Sequence, residues 1–91
     1  MKLILGIGLT GLSVARFFSS NNIAYRIADS RLSPPMHGKC KKENLLPECH
    51  LGDWQESLLD SVTEIIISPG IAETEAIVDW ARLQKIPLEK L

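Results

Sequence analysis

The 91-residue sequence is poor in several features that would announce a chemistry. Aromatic residues make up 5% of it (two Phe, one Tyr and two Trp), so any core must be built mostly from aliphatic side chains. There are two cysteines, Cys40 and Cys49, and no C-x-x-C pair, which argues against a disulfide scaffold and a dithiol redox motif. With His37 and His50 they form H-x2-C-x8-C-H, a spacing that matches no standard zinc site, so reduced thiols and no metal are expected. The net charge of −1 leaves no electrostatic footprint for nucleic acid. The one basic cluster, Lys39-Cys40-Lys41-Lys42, is followed at once by Glu43 and reads as a solvated loop. No apolar run is long enough to span a bilayer, so no membrane is expected as a partner. A phosphate loop of the form G-x-x-x-x-G-K-[ST] is missing, because Gly38-Lys39-Cys40 lacks the earlier glycine and the hydroxyl residue. Neither histidine has an obvious nucleophile beside it, so no catalytic residue is assigned. The chain is expected to bind rather than catalyse.

What is present is a moderately apolar chain, 45% hydrophobic and 23% charged, suited to one small soluble domain over residues 1–91. Its start imitates a secretory leader: Lys2, an apolar run from Leu3 to Leu12, then Ser13-Val14-Ala15. Gly6, Gly8 and Gly11 interrupt that run and disfavour a helical leader, so a cytoplasmic location is expected. Leu3-Ile4-Leu5 instead reads as a buried parallel strand. Gly11, Val14, Ala15 and Phe18 then recur at helical spacing, ending at Asn21-Asn22. Ile23–Ala28 reads as a second strand stopped by Asp29. Ser30–Leu46 is a long connection with Pro34-Pro35, holding a short helix near its end. Glu48–Leu51 is a candidate third strand. Asp53-Trp54-Gln55-Glu56 resembles a capping box and predicts a helix starting at Asp53, with Trp54 and Leu58 one turn apart. Glu64–Ser68, with Ile65-Ile66-Ile67, is the strongest strand signal. A helix from about Thr74 to Gln84 follows, with Ala76, Ile77, Trp80 and Leu83 on one face. Ile86-Pro87-Leu88 is a last strand, at an edge or a strand start because of its proline. Strands alternating with helices imply an α/β, Rossmann-like three-layer domain with a parallel sheet of four or five strands. The chain ends directly after the last strand, which suggests an N-terminal piece of something longer.

Three loops carry the functional signal. Gly6-Ile7-Gly8-Leu9-Thr10-Gly11 follows a strand and opens a helix, the context in which G-x-G-x-x-G holds a phosphate. Gly6 suits a tight turn, Gly8 lets backbone approach a phosphate, and Gly11 lets the helix pack against the sheet. Leu9 and Thr10 lie where free N–H groups and the positive helix end meet an anion. Asp29 ends the second strand, where dinucleotide-binding folds place an acid that accepts hydrogen bonds from a ribose and repels a 2′-phosphate. Arg31, close behind, can stack on a base or pair with phosphate. Ser68-Pro69-Gly70 closes the fourth strand. At a strand-order reversal all three loops would face one crevice. On these residues alone, an NAD-binding Rossmann domain of a dehydrogenase or regulatory protein is a full rival to any other nucleotide-binding domain.

Taken together, Gly6-Ile7-Gly8-Leu9-Thr10-Gly11-Leu12-Ser13, Asp29-Ser30-Arg31 with Pro34-Pro35, and Ser68-Pro69-Gly70-Ile71 resemble the start of the D-glutamate-adding branch of the Mur ligase family. These are ATP-dependent ligases of bacterial peptidoglycan precursor synthesis. The resemblance runs through essentially the whole chain in order and spacing. It implies a domain that holds the UDP part of UDP-N-acetylmuramoyl-L-alanine. Leu9, Thr10 and Gly70 would lie along the diphosphate side, and Asp29, Ser30 and Arg31 at the uracil end, with Gly8, Gly11, Ser68 and Pro69 also counted among the UDP-binding residues. It implies ATP and magnesium for the full-length enzyme, on domains outside this chain, and no cofactor here; the sequence does not give the oligomeric state, and a monomer is the expectation. Serine at position 30 departs from a frequent threonine, harmlessly if only a hydroxyl or the backbone matters. By itself the 91-residue chain is expected to be inactive.

Overall fold

The computed structural model describes residues 1–91. Five strands form one fully parallel sheet in the order β3-β2-β1-β4-β5. The strands are β1 (Lys2–Leu5), β2 (Tyr25–Asp29), β3 (Cys49–Leu51), β4 (Glu64–Ile67) and β5 (Leu88–Lys90). The helices are α1 (Leu9–Ser20), α2 (His37–Lys42) and α3 (Ala76–Leu83), with a single 3₁₀ turn at Glu56–Leu59. β1 pairs with β2 on one side and β4 on the other, with Ile4 level with Ile27 and Ile66.

Side chains alternate across the pleat, so each central strand feeds two cores. Ile4, Ile27 and Ile66 point to the face covered by α1 and α2, where they join Leu12, Ala15 and Phe18. Leu3, Leu5, Ile65 and Ile67 point to the opposite face, packing with Leu58 and Leu59 of the 3₁₀ turn and Ile77, Val78 and Ala81 of α3. Leu3, Ile4, Leu5, Ile27 and Ile65 are wholly inaccessible to solvent. Each such side chain contributes about 1.5–3 kcal/mol relative to exposure. This explains why aliphatic runs, and not alternating patterns, mark these strands. The α/β, three-layer arrangement read from the sequence is the observed one, with five strands.

In the second half of the chain the elements differ from those expected. No helix begins at Asp53. The chain bends at Gly52 and Asp53, is extended at Gln55 (φ −125°) and makes only the 3₁₀ turn. The Asp53 carbonyl accepts from the His50 ring at 2.7 Å, and Trp54 packs against the core with its indole N–H directed to Glu75 at 3.3 Å. These contacts hold Asp53 and Trp54 outside any helix, and Leu58 and Leu59 of the 3₁₀ turn fill the core position instead. In α3 the inward face is Ile77, Val78 and Ala81, with Trp80 at its flank, whereas Leu83 is 82% exposed and Ala76 is also exposed. Small β-branched and alanine side chains let this short helix lie close to the sheet. The short helix after β2 comes in the middle of that connection, not near its end. The last strand starts one residue after Pro87, whose carbonyl accepts from Ile65 N–H at 2.9 Å.

Candidate functional site

The chain winds outward from β1 through β2 to β3 and then crosses back to β4 on the other side of β1, so the carboxyl ends of β1 and β4 flank the point where the strand order reverses. A crevice of about 420 Å³ opens there. Its floor is the glycine loop. Gly6 adopts φ +106°, and a Cβ at that position would lie 2.8 Å from the Ser68 side chain, so only glycine fits. Gly11 is buried in the first turn of α1, against the Gly6 carbonyl. It lets the helix sit on the loop. Gly8 faces open space and caps α1 with ordinary extended backbone (φ −108°). No side chain caps α1 and no acidic residue lies in its first turn. The first turn of the helix therefore presents uncapped N–H groups and its positive dipole end next to the crevice, an arrangement that suits an anion.

Gly8, Leu9 and Thr10 line one wall, and Ser68, Pro69 and Gly70 line the other. Arg31, Pro35 and Met36 close a third side. The three loops singled out in the sequence do meet. Met36, which carried no signal of its own in the sequence, also lines the crevice, as do Pro35 and Ile71, which were noted only as part of the connection or of the resemblance and not as site residues. Met36 arrives because its N–H donates to the Ile7 carbonyl at 3.1 Å, folding the connection after β2 back over the glycine loop. Pro34-Pro35 was the available signal, since paired prolines stiffen a segment that must turn back. Ile71 arrives through a tight turn in which its N–H donates to the Ser68 carbonyl at 3.0 Å.

Gly11, Asp29 and Ser30 do not line the crevice. Gly11 is packed below it, and Ser30 is exposed but is not part of its lining. Asp29 is the instructive one. Its carboxylate is wholly buried and accepts four hydrogen bonds: from Ile7 N–H at 2.8 Å, Arg31 N–H at 2.9 Å, Arg31 Nε at 2.9 Å and Arg31 Nη2 at 2.7 Å. Burial pushes this carboxyl up, but the Arg31 guanidinium and the two backbone N–H donors outweigh it and hold it below its ordinary value. The same pairing raises Arg31. All the accepting capacity of the carboxylate is thus used within the chain.

The chain matches the family model of the Mur ligase MurD-like N-terminal domain over residues 1–89. It belongs to that family. Among relatives named UDP-N-acetylmuramoylalanine–D-glutamate ligase, it is 36% identical over 87 residues to the protein of Nitrosococcus oceani, covering 96% of this chain and 19% of the relative. It is 38% identical over 79 residues to that of Marinobacter nauticus (87% and 18%) and 42% identical over 69 residues to that of Pectobacterium atrosepticum (76% and 15%). The chain therefore spans less than a fifth of the length of these relatives. Within the MurD-like domain the two neutral crevice walls contain no carboxylate, so the α1 dipole and Arg31 set the local potential. No group of three or more His, Cys, Asp or Glu side chains is placed to hold a metal ion, and no helix is long and apolar enough to cross a membrane.

Proposed function

We propose that this MurD-like domain holds the UDP part of UDP-N-acetylmuramoyl-L-alanine in the crevice between β1 and β4. It would do so as the N-terminal domain of a cytoplasmic ligase that adds D-glutamate during peptidoglycan precursor synthesis. The uncapped first turn of α1, at Leu9 and Thr10, and the facing backbone at Ser68–Gly70 receive the diphosphate. Arg31, with Ser30 beside it, lies toward the uracil. ATP and magnesium would be held by parts of the ligase outside these 91 residues. This chain alone binds and does not turn over.

The observation that carries the reading against the NAD alternative is the engagement of Asp29. A dinucleotide-type ribose contact would have to displace Arg31 from a fully buried carboxylate. Backbone N–H chemistry for a diphosphate needs no such change. Chemical-shift mapping of the Leu9, Thr10 and Gly70 amides tests it. UDP is expected to move them at lower concentration than NAD. The opposite order would overturn the ligase reading in favour of a dinucleotide.

A further inference from the structure

We infer that Asp29 is a positioning residue that aims Arg31 at the bound nucleoside diphosphate and does not itself touch it. This rests on the reading of the crevice as a UDP site. The carboxylate grips the guanidinium side-on, through Nε at 2.9 Å and Nη2 at 2.7 Å. That edge is consumed by Asp29. The remaining N–H groups, on Nη1 and Nη2, stay free at a side chain that is 52% exposed and lines the crevice. An ungripped arginine on an exposed loop samples many rotamers and loses them when a ligand arrives. A gripped one has already lost them on folding, so its donors are preorganised.

The same carboxylate also holds the glycine loop, through Ile7 N–H at 2.8 Å. Ile7 in turn accepts from Met36. One buried group therefore sets the spacing between the loop beneath the phosphates and the arginine at the crevice mouth. A carboxylate with every acceptor site filled in this way has none left for a ligand hydroxyl or imide. The geometry gives Asp29 an influence on binding through Arg31 and the loop, at second hand.

The test uses the chain itself and UDP as the probe. In nitrogen-15 spectra the Arg31 Nε–H is expected as a protected, slowly exchanging signal that persists when UDP saturates the chain. Loss of that signal on saturation would mean that Asp29 lets go of Arg31 to meet the ligand, and would overturn the inference. A double-mutant cycle gives the second measurement. Arg31→Met and Asp29→Asn are each expected to weaken UDP binding roughly tenfold or more, as for charge-assisted hydrogen bonds. The double variant is expected to bind no more weakly than the weaker single one. Independent, multiplying losses would show that Asp29 acts on the ligand separately from Arg31, against the inference. Should Asp29→Asn fail to fold, the Nε–H signal of the unsubstituted chain still decides the matter. If UDP moves neither the Leu9 nor the Thr10 amide, the site itself is wrong, an outcome distinct from shifts accompanied by loss of the Arg31 signal.

Discussion

Replacing Gly11 with alanine would place a methyl carbon 2.0 Å from the Gly6 carbonyl oxygen. A relaxed contact of that kind is roughly 3.3–3.6 Å, so helix α1 and the loop must separate by more than an ångström. The obstacle is backbone, not the far end of a flexible side chain. Gly6 is itself pinned, since its N–H donates to the Ala28 carbonyl at 2.8 Å and its carbonyl accepts from Ser68 Oγ at 3.4 Å. Overpacking a tight site costs about 1–3 kcal/mol, and a backbone obstacle places this one at the top of that range or above it. Alanine's better helix propensity returns about 1 kcal/mol. A net loss of about 2 kcal/mol lowers the melting temperature of a domain this size by roughly 8–16 °C. Gly8→Ala meets nothing within 4 Å and needs no unusual backbone. It should cost only the difference between glycine and alanine as an N-cap, under about 1 kcal/mol. Circular-dichroism melts of the two variants beside the parent chain make the comparison. Gly11→Ala melting with the parent, or Gly8→Ala being the more damaged of the two, would refute the packing argument.

Gly8→Val is expected to keep the fold but weaken UDP binding more than tenfold, because its branched side chain would stand where the crevice is now open; titration of the Thr10 amide reads the affinity, and unchanged binding would count against the site. Asp29 has a depressed folded-state pKa, so the stability it contributes is complete above its ordinary value of 3.8 and is lost as pH falls through the lower folded value. Urea midpoints should therefore drop below about pH 4 and do so less steeply in Asp29→Asn; identical slopes would remove Asp29 from the acid transition. Burial pushes the Cys40 thiol up and it has no solvent exposure, whereas Cys49 is an exposed residue. A thiol reagent should label Cys49 in the folded chain and reach Cys40 only on unfolding, and equal labelling rates would contradict the packing of α2. Incubation of the chain with ATP, D-glutamate and the muramoyl nucleotide is expected to release no phosphate above a protein-free control.

The layer order and the meeting of three loops were legible along the chain. Solid aliphatic runs such as Ile65-Ile66-Ile67 can be satisfied only by burial on both faces, and that demands helices on either side of a parallel sheet. Gly6 and Gly11 were legible for a similar reason, since each occupies a place where a side chain would strike backbone or a neighbouring strand end. Local pattern was a weaker guide where long-range contacts compete with it. The capping-box residues after β3 are kept out of a helix by the reach of Trp54 to Glu75, a partner that no short window of sequence contains. The buried face of α3 was chosen by how closely Val78 and Ala81 approach the sheet, not by which of its side chains are largest. Above all, Asp29 reads as a ligand acceptor because it ends a strand beside a glycine loop. Only the tertiary structure decided that its carboxylate faces inward, where Ile7 and Arg31 fill every acceptor position. A residue's type and place along the chain say what it can bond to, but the direction in which folding turns its side chain selects the partner.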